Sequence, residues 1–304
     1  MASLIIRTTF LISLIGISLN SCQKKANSNS RAISSVSTPE FADYWYAGKA
    51  ELVSYNLKQS RYGEVHDGKA VLIFVTEPFS KNKQVKLDNG EAAGDDKQTV
   101  LKLNFTKKFV TGIYPYSMML STFTPVELNK YPNTPKVTMS SQEWCGHVFS
   151  QMNLKKNEYE VSSYSYFEQE GDVKFDLGKA LLEDEIWNRI RLDYKSLPTG
   201  EFDIIPGLFH TRLLHKNLKA VRVQGVLEET DSANFYSLIY TDRALKIEFE
   251  NTFPYKILGW EEEFNGLGGK KMITSASIDK TLNTDYWSKH NSKDKYLRDS
   301  LNLQ

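Results

Sequence analysis

The chain has 304 residues, with 38 Lys and Arg against 37 Asp and Glu, for a formal net charge of +1. So even a balance leaves no electrostatic footprint for nucleic acid and no broad basic field for an anionic membrane surface. The length allows a sizeable core without disulfides.

The first element is a leader. "MASLIIR" carries a single charge, Arg7, and "TTFLISLIGISL" is an apolar run of signal-peptide length. It falls short of the roughly 20 apolar residues that a membrane span needs. Directly behind it, "LNSC" (Leu19 to Cys22) resembles the lipobox of bacterial lipoproteins, in which the cysteine is acylated and becomes the first mature residue. This predicts a signal peptide over 1–21 and a lipid on Cys22 that attaches the chain to the membrane. Residues 22–40, polar and rich in Ser and Asn, read as a flexible tether because they bury too little apolar surface to fold. No acidic run follows the lipobox, which favours an outer-membrane anchor facing the periplasm.

From 41 to 304 strand signals dominate, with no fixed-period repeat and no second linker, so one domain is expected. "AVLIFV" (Ala70 to Val75) is continuously apolar, as in a strand covered on both faces. "VLKLNF" places Leu101, Leu103 and Phe105 opposite Lys102 and Asn104. "ALKIEFE" repeats the alternation with Leu245, Ile247 and Phe249 against Lys246, Glu248 and Glu250. Such alternation marks antiparallel strands with one wet face. The turns fall at "HDGK", "LDNGEAAGDD", "KYPNTPK", "QEGD" and "FNGLGGKK".

One helix stands out at "KALLEDEIWNRIRLDYKSL", where Leu182, Ile186, Ile190, Tyr194 and Leu197 recur at helical spacing. Acids lie early in it and bases late, as the helix dipole favours, and Pro198 ends it. Shorter helices are expected in "GLFHTRLLHKN" and "KDKYLRDSLNL". The fold class is therefore mainly β, with a large curved antiparallel sheet or partly open barrel wrapped around one principal helix.

Candidate chemistry is sparse. In "QEWCGHVF" a strand would turn Glu143, Cys145 and His147 to one side and Trp144 to the other. His147 could then lower the Cys145 thiol pKa and Glu143 could orient the imidazole, as a thiol nucleophile requires. The same stretch reads equally as ligand-lining or as plain packing, and nothing nearby supplies an oxyanion hole. With Cys22 acylated, Cys145 has no partner for an intrachain disulfide. Tyr62, Glu64 and His66 would share a strand face, either at the rim of a cavity or on an exposed hairpin end.

The histidines, including the i, i+5 pair of "HTRLLH", lack metal-ligand spacing, so no metal or cofactor is expected. "GLGGKK" lacks the phosphate-loop spacing and reads as a hairpin loop. "LLEDE" and "WEEEF" read as a helix N-terminal turn and a solvated strand edge.

The stretches "SRYGE", "TGIYPYSMMLSTFTP", "KVTMSSQEWCGHVFSQMN", "SYFEQEGD" and "ALLEDEIWNRIR" together resemble a family of bacterial envelope lipoproteins that has no established activity. The resemblance spans nearly the whole mature chain, and "SSQEWCGH" is its most specific part. Some members carry the label septum formation inhibitor Maf. The Maf nucleotide pyrophosphatases have an S-x-S-P-R-R-like motif on an α/β fold; this chain has neither, so that activity is not carried over. The expected layout is similar to envelope proteins that hold lipids or lipoproteins in a half-barrel.

Together these features predict a lipid-anchored envelope protein that is not an enzyme. It would bind a lipid-like, apolar or amphipathic ligand, or a partner protein. The rival readings are a thiol-dependent hydrolase built on Cys145 and His147, and an envelope assembly factor.

Overall fold

The computed structural model describes residues 38–303. The predicted leader, Cys22 and most of the predicted tether lie outside them. The described chain opens with α1 (Pro39–Trp45), which is capped by Thr38: its Oγ1 accepts the Phe41 N–H at 3.2 Å. An antiparallel meander follows: β1 (Ala50–Arg61), β2 (Glu64–Ser80), β3 (Lys97–Thr111), β4 (Tyr114–Pro125), β5 (Lys136–Glu143), β6 (Gly146–Leu154), β7 (Glu158–Ser165) and β8 (Val173–Gly178). The chain then makes β9 (Leu181–Leu182), α2 (Glu183–Asp193), β10 (Gly200–Ile205) and α3 (Leu208–Leu213). A second meander runs through β11 (Val221–Glu229), β12 (Asn234–Ile239), β13 (Arg243–Phe249), β14 (Ile257–Asn265) and β15 (Lys271–Thr284), and α4 (Tyr296–Ser300) closes the chain.

The two meanders join where β1 pairs with β15, from Ala50 opposite Thr284 to Lys58 opposite Ser275. This makes one fifteen-stranded sheet, ordered β8 to β1 and then β15 to β9. It curls without closing: β8 and β9 are its two edges, although only Lys179 and Ala180 separate them in the chain. The edges thus start side by side at that corner without pairing. This is the expected mainly β, partly open barrel around one principal helix.

The alternation read from β3 and β13 holds. Leu101, Leu103, Phe105, Leu245, Ile247 and Phe249 are all buried. In β2, Ala70, Leu72 and Phe74 face the interior, while Val71, Ile73 and Val75 face outward under Leu301 and Leu303 of the C-terminal segment. That second cover explains the continuous apolar run.

α2 departs from its amphipathic reading. Every residue from Glu183 to Leu192 is buried, the polar ones included, because the curled sheet together with α1 and α3 encloses the helix. Its polar side chains therefore find partners within the barrel. Asn188 donates to the Leu101 carbonyl (3.0 Å) and to Thr124 Oγ1 (2.9 Å). Arg191 makes a two-pronged pair with Glu51 (2.6 and 2.8 Å). The apolar side packs through a cluster in which Phe105, Trp187 and Trp260 lie 5.2–5.3 Å apart, with Phe209 of α3 at 5.3 Å from Phe105. With α1 also packed into this core, the barrel is filled by its own chain.

Candidate functional site

The hairpin between β5 and β6 separates the residues expected to form a thiol site. Glu143 ends β5, Trp144 and Cys145 make the turn, and Gly146 opens β6 opposite Glu143. Pairing residues share a face, so Glu143 turns inward while the Gln142–His147 pair turns outward to solvent. The strand-face expectation for Glu143, Cys145 and His147 is therefore corrected: a two-residue turn interrupts the period-2 alternation that it assumed. Glycine is required at 146, where a Cβ would lie 2.6 Å from the Tyr166 ring. Cys145 is exposed, Trp144 is 67% exposed, and Glu143 is held by Arg212 at 3.3 Å.

Tyr62 likewise sits in a turn rather than on the strand face of Glu64 and His66. It takes φ +55° beside Gly63 at φ +83° in the β1–β2 hairpin. Its hydroxyl meets those of Tyr116 (2.8 Å) and Tyr114 (3.2 Å), and the Arg61 guanidinium lies 4.3 Å above its ring. Arg61 also donates to the Leu213 carbonyl, tying this hairpin to the end of α3. Tyr62 borders a cleft of about 270 Å³ there, whereas Glu64 is exposed and the His66 ring meets the Arg61 carbonyl at 3.3 Å.

Beneath α3 lies a buried ionisable cluster. Arg243 binds Glu262 (2.7 Å) and Glu183 (2.6 Å), His210 Nδ1 meets Glu262 at 2.6 Å, and the Leu208 N–H donates to Asp184 at 3.1 Å. Gly207 makes room for this: a Cβ there would fall 2.5 Å from Glu183 Oε1. Burial, with the charge of Glu183 added, pushes Asp184 up to about 8. Burial also acts to raise Glu262, but the Arg243 charge and the His210 hydrogen bond overcome it and hold that carboxyl well below the usual range. Burial lowers Lys107, whose Nζ lies 5.3 Å from the Phe209 ring.

Shifted groups of this kind often mark active sites. The carboxylates Glu183, Asp184 and Glu262 face a space of only about 30 Å³, room for about one water. The opening of about 340 Å³ beside them is reached by His210 and Arg243, which are already tied to those carboxylates. The cluster fastens α2 and α3 to the strands instead. "WEEEF" is accordingly not a wholly solvated edge: Glu262 shares the inner face with Trp260 and Phe264. That i±2 spacing from two aromatic residues was the signal in the sequence.

The larger opening lies along the unclosed seam. A cleft of about 390 Å³ runs between the inner face of β5–β8 and the segment from α3 to Leu218. Met139, Val148, Val161 and Leu208 form its floor, and Val173 and Phe175 of β8 its wall. At its mouth Arg212 binds Glu170 (3.1 Å) and Glu143 (3.3 Å) and covers the Phe167 ring at 4.4 Å. Burial acts to raise Glu170, yet hydrogen bonds from Ser165 and His215 and the Arg212 charge bring it below its ordinary value. The Arg212 Nε, also buried, has no hydrogen-bond partner among the described residues. Val173, Phe175 and the α3 residues were not picked out from sequence, because only the seam brings β8 and α3 together.

Among the described residues no group of three His, Cys, Asp or Glu side chains is placed to hold a metal ion, and no helix is long and apolar enough to cross a membrane. No family model matches the chain, and no curated protein matches it. Among solved structures it is similar to a β-barrel-like protein of the domain of unknown function DUF1849 from Brucella abortus. The identity is 9% and the TM-score 0.43, over 77% of this chain and 96% of that one.

Proposed function

We propose that the chain is a lipid-anchored, non-catalytic binding protein of the bacterial envelope that takes an apolar or amphipathic chain into its seam cleft. The observation that carries this is the cleft itself: an apolar floor and wall with Arg212 and Glu170 at the mouth, at a size within the common range of ligand pockets. Within the barrel α1, α2 and α3 pack into the core, and the seam cleft is larger than the openings of about 270 and 340 Å³ beside α3. The lipobox-like "LNSC" supports the anchor. A thiol hydrolase gains no support, because Glu143 faces the core and His147 the solvent on either side of the Cys145 turn.

The test is binding of the fluorescent apolar probe ANS by the full chain. Saturable binding that falls at least tenfold in Phe175→Glu, in a variant that keeps its fold by circular dichroism, is the expected result. Binding that Phe175→Glu leaves unchanged would count against the cleft.

A further inference from the structure

We infer that the occupant of the seam cleft is an extended polypeptide segment that adds as a strand to the free edge of β8. This rests on the cleft reading and names the chemistry of what fills it. Among the described residues β8 has one neighbouring strand, β7, in register from Val173–Ser163 to Gly178–Glu158. The Lys179 N–H donates to the Asn157 carbonyl at 3.2 Å, continuing that register by one pair. Hydrogen-bonded pairs recur every second residue in an antiparallel ladder. Val173, Phe175 and Leu177 therefore exchange their backbone bonds with β7. Lys174, Asp176 and Gly178 turn their N–H and C=O groups to the other edge.

The side chains follow the same phase. Phe175 pairs with buried Val161, and Leu177 with buried Tyr159, so Val173, Phe175 and Leu177 point into the barrel. A strand within a closed barrel would bury all three. Here Val173 is 40% exposed and Phe175 and Leu177 are half-buried, since no strand of the described residues lies beyond them. The seam thus offers two things along one line: a row of backbone donors and acceptors with no strand partner among the described residues, and an apolar cleft beneath it. A hydrocarbon chain satisfies only the second. An extended peptide with alternating apolar residues satisfies both, its backbone on the edge and every second side chain in the cleft.

The pairing geometry makes a sharp demand. The added strand is taken to run antiparallel to β8, so residues opposite Lys174 and Asp176 share their outward face and exchange both backbone bonds with them. The residues of the added strand that hydrogen-bond to β8 are therefore its polar ones. The apolar residues turn their N–H groups away from β8.

The probe is a pooled library of blocked nonapeptides in which Val, Ile, Leu or Phe alternates with Thr, Ser or Lys. It is added to the full chain with ANS bound. The expected result is displacement of the Phe175-dependent ANS, with amide exchange at Lys174 and Asp176 slowed at least tenfold. N-methylation at the polar positions should abolish displacement, and N-methylation at the apolar positions should preserve it. Asp176→Pro should weaken the peptides at least tenfold while leaving ANS bound as before. If ANS binds in a Phe175-dependent way but the peptides fail to displace it, or displace it equally well in both methylated forms, the strand-addition inference is overturned and the cleft reading stands. If no Phe175-dependent ANS binding exists, both fail together.

Discussion

An exposed thiol on a two-residue turn has solvent around it and no packed neighbours to disturb. Cys145 should therefore react with iodoacetamide in the native protein at a rate within about threefold of that in denaturant. Cys145→Ser should shift stability by no more than about 0.5 kcal/mol, the usual range for surface changes. Alkylation followed by mass spectrometry, with a urea titration of the variant, checks both. A thiol silent until unfolding would contradict the exposed turn. Residues such as Glu143 and Glu262 lie at the opposite extreme, since each faces the interior against an arginine. Their charge suggested solvent, yet their place in the alternation decided their direction. For Glu262 that place was legible from Trp260 and Phe264. For Glu143 it was hidden, because nothing in "QEWCGH" announces that the chain reverses at Trp144 and Cys145.

At the scale of elements, α2 carries its chemistry into the core at its first turn. Asp184, up at about 8 in the fold, keeps a proton that the unfolded chain loses near its ordinary 3.8. That difference favours the folded state fully below pH 3.8, and the advantage is lost as pH rises from there to about 8. The slope from this one group approaches ~1.4 kcal/mol per pH unit. Glu183 and Glu262, held low against the burial that would raise them, act in the opposite sense: their contribution is lost only as pH falls below 4.5. Between pH 5 and 8 the Asp184 slope stands clear of them. Asp184→Asn keeps an oxygen for the Leu208 N–H and cannot ionise, so it should flatten urea stability across that interval and raise it at pH 8. Parallel wild-type and variant curves would show that Asp184 is already ionised in the fold. The helix itself was legible from Ile186 and Ile190. Its burial on every side was not, because amphipathic spacing names an inner face and cannot say that the polar face is enclosed as well.

At the scale of the whole molecule, the even charge gives no broad basic field for an anionic membrane surface, so the proposed attachment rests on the "LNSC" stretch and the lipid it would place on Cys22. Cys22→Ala should move the chain from the membrane fraction to the soluble fraction, with loss of the acyl mass from the mature N-terminus. Wild-type protein that is already soluble would remove the anchor.

The sequence by itself determined the β-rich class, the principal helix and the two-sided burial of "AVLIFV", because periods of 2 and 3.6 are local properties of a chain. Only the tertiary structure decided that β1 closes on β15, that α2 and α3 fill the barrel, and that β8 is left with a free edge beside an apolar cleft. Those outcomes join segments that, for β1 and β15, lie more than two hundred residues apart. The pairing of distant strands depends on how the whole sheet curls, which no local pattern encodes.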